Sequence, residues 1–140
     1  MREKKLLIFM PSVEGGGVEK NFFLISNYLS KVFKDVSIIT ADKNLLKKKI
    51  NKNIKIYGPN SKIWNINSRY PKYFICLLYL IRLLITNKKV LVFSFQANLY
   101  ATLVSKIFKC NVITRSNSSS KGWSNNKLKI ILYKFFFKFI

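Results

Sequence analysis

The sequence predicts an α/β protein in which one parallel sheet carries helices on both of its faces. Short apolar runs recur along the 140-residue chain, and longer segments with helical spacing separate them. The first run, residues 6–10, is apolar throughout, which is typical of a parallel strand that is covered on both sides. Strands that alternate with helices are normally joined by right-handed crossovers, so a single open sheet is expected.

Five strands are predicted, because five short runs of branched and aromatic apolar residues end at polar or turn-forming residues. They cover residues 6–10, 36–40, 54–57, 90–93 and 112–114. Their expected spatial order is 3-2-1-4-5, the arrangement of Rossmann-like sheets. The whole chain, 1–140, is expected to be one domain, because domains commonly contain about 100–200 residues.

The helices are predicted from apolar residues that recur at intervals of three and four. One helix begins near Val18, and another follows Pro71 after a polar, irregular stretch. Residues 99–108 and 128–140 are the other predicted helices, and the basic connection 42–53 has room for a short one. In the helix after Pro71, one face consists of apolar residues at helical spacing, namely Phe74, Leu77, Leu78, Ile81 and Ile85.

The chain is strongly basic, with 26 Lys and Arg, only five Asp and Glu, and a formal net charge of +21. Such a charge indicates a polyanionic neighbour, such as nucleic acid, anionic lipid or a phosphorylated substrate. Nearly all of the basic residues are Lys, and Asn, Ile and Phe are also abundant. Because these residues share A/T-rich codons, a bias in codon composition explains the charge equally well.

Several kinds of site are excluded by residue type. The chain has no His, so it contains neither a Ser-His-Asp triad nor a zinc site ligated by His. Cys76 and Cys110 lie far apart in apolar runs and are expected to be free thiols in a reducing compartment. No metal site is expected, because there is no cluster of acids to hold an ion. The longest apolar stretch, 73–85, is too short to cross a membrane, so a cytoplasmic protein is expected.

Ligands bind open parallel sheets beyond the carboxyl ends of the strands, so the loops at that edge hold the candidate site. After the first strand, Gly15, Gly16 and Gly17 precede the predicted helix, and Glu19 lies in its first turn. Glycines let a ligand approach the backbone, and a helix N-terminus offers N–H groups to phosphate or sugar hydroxyls. The alternative is a flexible turn in which Glu19 complements the helix dipole. The dinucleotide fingerprint GxGxxG is broken, because Lys20 stands where its third glycine would be.

Two further loops carry polar side chains at the same edge. Gln96 and Asn98 follow the fourth strand, where they could hydrogen-bond a sugar, or where Asn98 could cap the next helix. Arg115 and Asn117 follow the fifth strand in a stretch rich in Ser and Asn. Arg is scarce in this chain and can form two hydrogen bonds to a phosphate or carboxylate, although a solvated loop would have a similar composition.

These loops, taken in order, resemble those of a known enzyme family. Gly-Gly-x-Glu at 16–19 and the segment 93–98 are similar to the N-terminal domain of family 4 glycosyltransferases. Residues 115–117 followed by Trp123 resemble a subgroup that acts on lipid-linked or cell-surface polysaccharides. The resemblance covers essentially the whole chain and implies one half of a GT-B architecture. In that architecture the N-terminal domain mostly binds the acceptor and faces a C-terminal donor domain, which is absent from these 140 residues.

The resemblance implies retaining transfer of a sugar from a nucleotide sugar to a glycan or lipid-linked acceptor. The nucleotide sugar would be a substrate, and no cofactor is implied. The glycine loop would border the diphosphate and the acceptor, and Gln96 and Arg115 would line the acceptor side. Many family members have a His after the fourth strand, where this chain has Gln96 or Asn98, so no catalytic residue is assigned. Without a donor domain, the chain alone is expected to be inactive.

Two other classes stay open. A nucleotide-binding oxidoreductase domain would use Asp42, beyond the second strand, as its ribose ligand. A basic protein that binds a membrane or nucleic acid would need its charge clustered on one face, and nucleic acid is not the expected partner. Peripheral contact with an anionic membrane is expected from basic groups at 47–55 and, interleaved with aromatic residues, at 121–138. The expected location is the inner face of the cytoplasmic membrane.

Overall fold

The computed structural model describes residues 5–60, 68–87, 89–115 and 131. Its strands are β1 Lys5–Phe9, β2 Val36–Ile39, β3 Lys55–Tyr57, β4 Val90–Ser94 and β5 Asn111–Thr114. They form one five-stranded sheet in the order β3-β2-β1-β4-β5, and every neighbouring pair is parallel. The predicted α/β class, the open parallel sheet and the Rossmann-like strand order are therefore confirmed.

Helices alternate with these strands along the chain. They are α1 Gly17–Val32, α2 Lys43–Leu46, α3 Arg69–Thr86 and α4 Asn98–Ile107. Among the described residues, no helix combines the length and the apolar character that a membrane span requires. The predicted helix at 128–140 lies outside the described residues, except for Ile131, and so do Asn117 and the basic group at 121–138.

The central strand, β1, separates two apolar cores. On one side, Leu6 and Ile8 pack with residues of α1 and with the segment around α2, including Phe22 and Leu46. On the other side, residues of β1 pack with α3 and α4, in a core that contains Leu7, Phe9, Ile39, Cys76, Leu80, Leu84 and Ala101. Both faces of β1 are thus covered, which explains why its sequence is apolar throughout.

The apolar face that spacing identifies in α3 is not the buried one. The residues that α3 buries are Lys72, Cys76, Leu80 and Leu84. By contrast, Phe74 is 64% exposed and Ile85 is 61% exposed. Because α3 is apolar on nearly every side, the spacing of its apolar residues does not distinguish the face that packs on the sheet.

Candidate functional site

The carboxyl edge of the sheet brings together the loops that follow β1, β4 and β5. Immediately beyond the strands, Phe95 N donates to Phe9 O at 3.0 Å, and Arg115 N donates to Ser94 O at 2.9 Å. These backbone hydrogen bonds join each loop to its neighbour at its first residue. The three loops that carry the predicted site residues therefore begin side by side at one edge of the sheet.

The glycine loop leaves the start of α1 open. Gly15 has a φ of +80°, a left-handed conformation that glycine adopts without strain. Gly16 is the N-cap of α1, and no side chain caps the helix. All three glycines are exposed, and a Cβ added at Gly15 or Gly17 would meet no heavy atom within 4 Å. The first turn of α1 therefore presents its N–H groups and the positive end of its dipole to open space.

Glu19 faces the protein, where it shapes the glycine loop. The residue is buried, and its Oε1 accepts a hydrogen bond from Glu14 N at 3.2 Å. Its Oε2 lies 3.1 Å from the position that a Cβ on Gly16 would take, so a larger residue at that position would crowd the carboxylate. Glu19 therefore contacts the backbone of the glycine loop, and its role in ligand binding stays a prediction.

A solvent-exposed ion pair between Arg69 of α3 and Glu14 holds the same loop. Arg69 donates from Nε to Glu14 Oε1 at 2.7 Å, and its Nη2 donates to Glu14 Oε2. Ser12 Oγ also donates to Glu14 Oε1, at 2.9 Å. The Arg69 guanidinium lowers the pKa of Glu14 below its ordinary value of 4.5, and Glu14 in turn raises the pKa of Arg69. This pair fastens the exposed side of the loop to the first turn of α3.

A second, buried ion pair between Lys72 and Asp42 also holds the loop. Lys72 Nζ donates to Asp42 Oδ1 at 2.9 Å and to Oδ2 at 3.0 Å. The Lys72 side chain is 11% exposed and the Asp42 side chain 4%. Asp42 Oδ2 also accepts from Val13 N at 2.8 Å. Asp42 is therefore engaged with Lys72 and the loop backbone, and a ribose would have to displace these groups to reach it.

A buried thiol lies below this second ion pair. Cys76 is one turn after Lys72 on the inner side of α3, and its Sγ is 4.0 Å from Pro11 O. Burial, followed by the nearby Asp42 charge, raises the pKa of Cys76 to about 12, although Lys72 opposes this. Burial also raises the pKa of Cys110. Both cysteines are free, as predicted, and neither environment favours a reactive thiolate.

Gln96 and Asn98 cross-link the loops of the edge. Gln96 Oε1 accepts a hydrogen bond from Ser12 N at 3.2 Å, which joins the loop after β4 to the loop after β1. Asn98 Oδ1 accepts from Ser94 Oγ at 2.9 Å, and Asn98 Nδ2 donates to Arg115 O at 2.8 Å. Asn98 does not cap α4, because it is the first helical residue and the N-cap is Ala97, in a left-handed conformation.

Arg115 is half-buried beside the aromatic core of the edge. Its guanidinium carbon lies 5.8 Å from the centre of the Phe95 ring, within the range of a cation–π contact. Its Nη1 is buried and has no hydrogen-bond partner among the described residues. A buried N–H group without a partner is unusual, so this nitrogen is a candidate for binding an acceptor oxygen of a ligand. Asn117, the other candidate in this loop, lies outside the described residues.

The candidate residues therefore divide into two groups. Gly15 and Gly17 line open space, whereas Gly16 faces the Glu19 carboxylate, and the side chains of Glu19, Gln96 and Asn98 bond other parts of the protein. In the described part of the chain, no hydrogen bond joins Arg115 to the glycine loop. The loop after β4 connects the two instead: Asn98 donates to Arg115 O, and Gln96 accepts from Ser12 N in the loop after β1.

Sequence reasoning missed the two basic residues of α3 that position the glycine loop, Arg69 and Lys72. One signal for Lys72 was available, because it lies four residues before Cys76 and eight before Leu80 on the same side of an apolar helix. A single charge in line with buried apolar residues indicates a buried ion pair. With only five acids in the chain, its partner could have been sought among very few residues.

Comparisons with models of protein families, with curated proteins and with solved structures return no match. The parallel α/β sheet of Rossmann-like order is therefore the level at which this chain is classified.

Proposed function

We propose that the chain is the acceptor-side domain of a retaining glycosyltransferase. The enzyme would transfer a sugar from a nucleotide sugar to a cell-surface polysaccharide or a lipid-linked acceptor. The proposal combines the resemblance of the three loops with the Rossmann-like sheet on which they lie. A donor domain that binds the nucleotide would complete the cleft.

The observation that carries the proposal is the open start of α1 at the carboxyl edge. Gly15 and Gly17 leave room for a ligand to reach the backbone, and the first turn of α1 offers N–H groups to its oxygens. Arg115 lies two strands away at the same edge, and its buried Nη1 has no partner within the described part of the chain. Together these features suit a ligand that carries both phosphate and sugar oxygens.

The carboxylates of the described residues are bonded to other protein groups, which supports a role of this domain in binding and orienting the acceptor. Each acidic side chain of the described part contacts another protein group: Glu14 with Arg69, Glu19 with Glu14 N, Asp35 with Lys5 and Lys55, and Asp42 with Lys72. None is therefore free to act as a general base at the edge. In the proposed reaction, the domain would hold the acceptor in position and help to stabilise charge on the departing diphosphate.

The oxidoreductase alternative has less support from this geometry. It depends on Asp42 as a ribose ligand, and the Asp42 side chain is 4% exposed and bonded to Lys72. A carboxylate that binds ribose must face the ligand. The site geometry therefore favours the glycosyltransferase proposal over a dinucleotide-binding domain.

Ligand-induced stabilisation of the full chain tests the proposal. We expect short-chain isoprenyl diphosphate sugars, which represent a lipid-linked acceptor, to raise the midpoint of thermal unfolding, because binding to the folded state stabilises it. Inorganic diphosphate at the same ionic strength measures the effect of charge alone. Gly17→Ala places a methyl group in the open space, and Arg115→Gln removes the guanidinium. Each variant should weaken binding by about tenfold, or about 1.4 kcal/mol.

Lys31→Gln is the matched control, because Lys31 is an exposed cation in the last turn of α1, at the opposite edge of the sheet. It should bind the ligands as the unmodified chain does. If no sugar diphosphate stabilises the chain more than inorganic diphosphate does, the proposed function is wrong. Equal weakening by Lys31→Gln would instead show that binding reflects net charge rather than the loops of the carboxyl edge.

A further inference from the structure

The outer face of α3, formed by Tyr70, Phe74, Leu78 and Ile85, is apolar and exposed. These side chains are 75%, 64%, 46% and 61% exposed, respectively. They recur at intervals of four, four and seven residues along an 18-residue helix, which spans about 27 Å. A helix that is apolar on every side is normally covered. None of the described residues covers this face of α3.

The neighbouring helix extends this surface and adds charge to it. α4 packs beside α3 on the same side of the sheet, and it exposes Tyr100 (47%) and Ile107 (75%). Arg82 and Lys106 are exposed on the same two helices. No acidic residue occurs after Asp42 in the sequence, so neither helix contains one. The combined surface is therefore apolar and aromatic, with positive charge and no intrinsic negative charge.

We infer that the outer faces of α3 and α4 dock on an anionic lipid bilayer. Their apolar side chains would enter the region between headgroups and acyl chains, and Arg82 and Lys106 would contact lipid phosphates. Tyrosines suit this position, because each has an apolar ring and a hydroxyl that bonds at the aqueous boundary. The inference is independent of the proposed transfer reaction, since it depends only on the surface of these two helices.

Charge and shape favour lipid over a protein partner. A second copy of the chain would bring the same positive face and a further net charge of +21 to the contact, so electrostatic repulsion would oppose a dimer. The exposed apolar residues also extend along the outer side of a helix, whereas specific protein ligands commonly enter grooves or pockets. A membrane surface is broad and deformable, and its anionic lipids match the charge.

The inferred surface differs from the basic group at 47–55 that the sequence suggested. Lys47 follows α2 directly, and Lys49 Nζ lies 5.2 Å from the centre of the Phe23 ring of α1. α1 and α2 cover the opposite side of the sheet from α3 and α4. A planar bilayer that contacts the outer face of α3 therefore cannot also lie flat against that basic group.

Sedimentation with lipid vesicles tests the inference. The full chain is mixed with vesicles of phosphatidylcholine alone, or of phosphatidylcholine with phosphatidylglycerol. We expect it to sediment with the anionic vesicles, to be released as salt rises, and to stay in solution with the neutral ones. The combined variant Phe74→Gln/Leu78→Gln/Ile85→Gln should reduce binding by about tenfold or more, because membrane binding scales with buried apolar area.

The combined variant Leu24→Gln/Tyr28→Gln/Leu45→Gln is the matched control. Its three residues are 70%, 67% and 57% exposed, and they lie on α1 and α2. It should bind anionic vesicles as the unmodified chain does. Circular dichroism and the unfolding midpoint show that both variants fold, which is expected because every substituted residue is exposed.

Three outcomes would overturn the inference. The first is equal loss of binding in both variants, and the second is unchanged binding in the α3 variant. The third is a dimer in sedimentation velocity that the α3 variant abolishes, together with no binding to anionic vesicles. That last result would assign the face to a second copy of the chain.

Discussion

Lys72 Nζ lies 2.9 Å and 3.0 Å from the two carboxylate oxygens of Asp42, and both side chains are almost completely buried. The same carboxylate accepts the N–H of Val13 in the glycine loop. One buried ion pair thus joins α3, the loop after β2 and the loop that begins the candidate site. Removing either partner would leave a charge without compensation inside the protein.

We therefore expect Lys72→Met to lower the free energy of unfolding by about 3–5 kcal/mol, because it leaves the Asp42 carboxylate buried and unpaired. Urea unfolding followed by circular dichroism measures the change. Arg69→Met is the control, since the Arg69 side chain is 61% exposed and surface ion pairs contribute only about 0–1 kcal/mol. Similar losses in the two variants would contradict the importance of burial at Lys72.

The pair between Glu14 and Arg69 predicts a specific pH dependence. The pKa of Glu14 is lowered in the folded state, chiefly by Arg69. The resulting stabilisation is present above the ordinary pKa of 4.5 and is lost as pH falls through the lower, folded value. The difference in unfolding free energy between the unmodified chain and Glu14→Gln should therefore shrink below pH 4.5. A difference that stays constant between neutral and strongly acidic pH would contradict this assignment.

Burial of Cys76 predicts a thiol that resists alkylation. With its pKa raised to about 12, very little thiolate exists at pH 8. In a Cys110→Ala chain, iodoacetamide should label Cys76 slowly when the protein is folded and rapidly in concentrated urea. Mass spectrometry of timed samples measures both rates. Equal rates in the two conditions would show that the thiol is accessible in the folded chain.

Two glycine substitutions should have very different effects on stability. A Cβ at Gly58 would lie 1.8 Å from Thr40 O, a backbone atom that cannot easily move, so Gly58→Ala should cost about 1–3 kcal/mol or more. A Cβ at Gly17 meets nothing within 4 Å, and Ala favours a helix by up to about 1 kcal/mol over Gly. Gly17→Ala should therefore be neutral or stabilising. Unfolding midpoints of the two variants test this ranking.

The strands could be predicted well, because parallel strands buried on both faces have continuous apolar sequences. Residues 6–10 illustrate this, since β1 covers Lys5–Phe9 and its neighbours are β2 and β4. The inner face of α3 could not be predicted in the same way. Its apolar residues surround the helix, so the periodic contrast that distinguishes a buried face is missing.

The candidate site could be predicted only at the level of its loops. Parallel topology places the residues after β1, β4 and β5 at one edge, so the sequence predicts that Gly15, Gln96 and Arg115 share that edge. The contacts that hold those loops join distant parts of the chain. Lys72 is 30 residues from Asp42, and Arg69 is 55 residues from Glu14. Local spacing carries no information about such pairs, because the fold alone brings them within hydrogen-bonding distance.

Two of the acids, Glu19 and Asp42, are buried and bonded to other parts of the fold, whereas many of the lysines are exposed. In a saturation mutagenesis experiment scored by folding, exposed lysines such as Lys47 and Lys52 should accept most residues. Positions 19 and 42 should instead accept few, since Glu19 and Asp42 are buried and each contacts another part of the fold. Drift in base composition could then add surface lysines while the buried acids persist. The net charge of the chain would therefore change independently of the few charges that its fold requires.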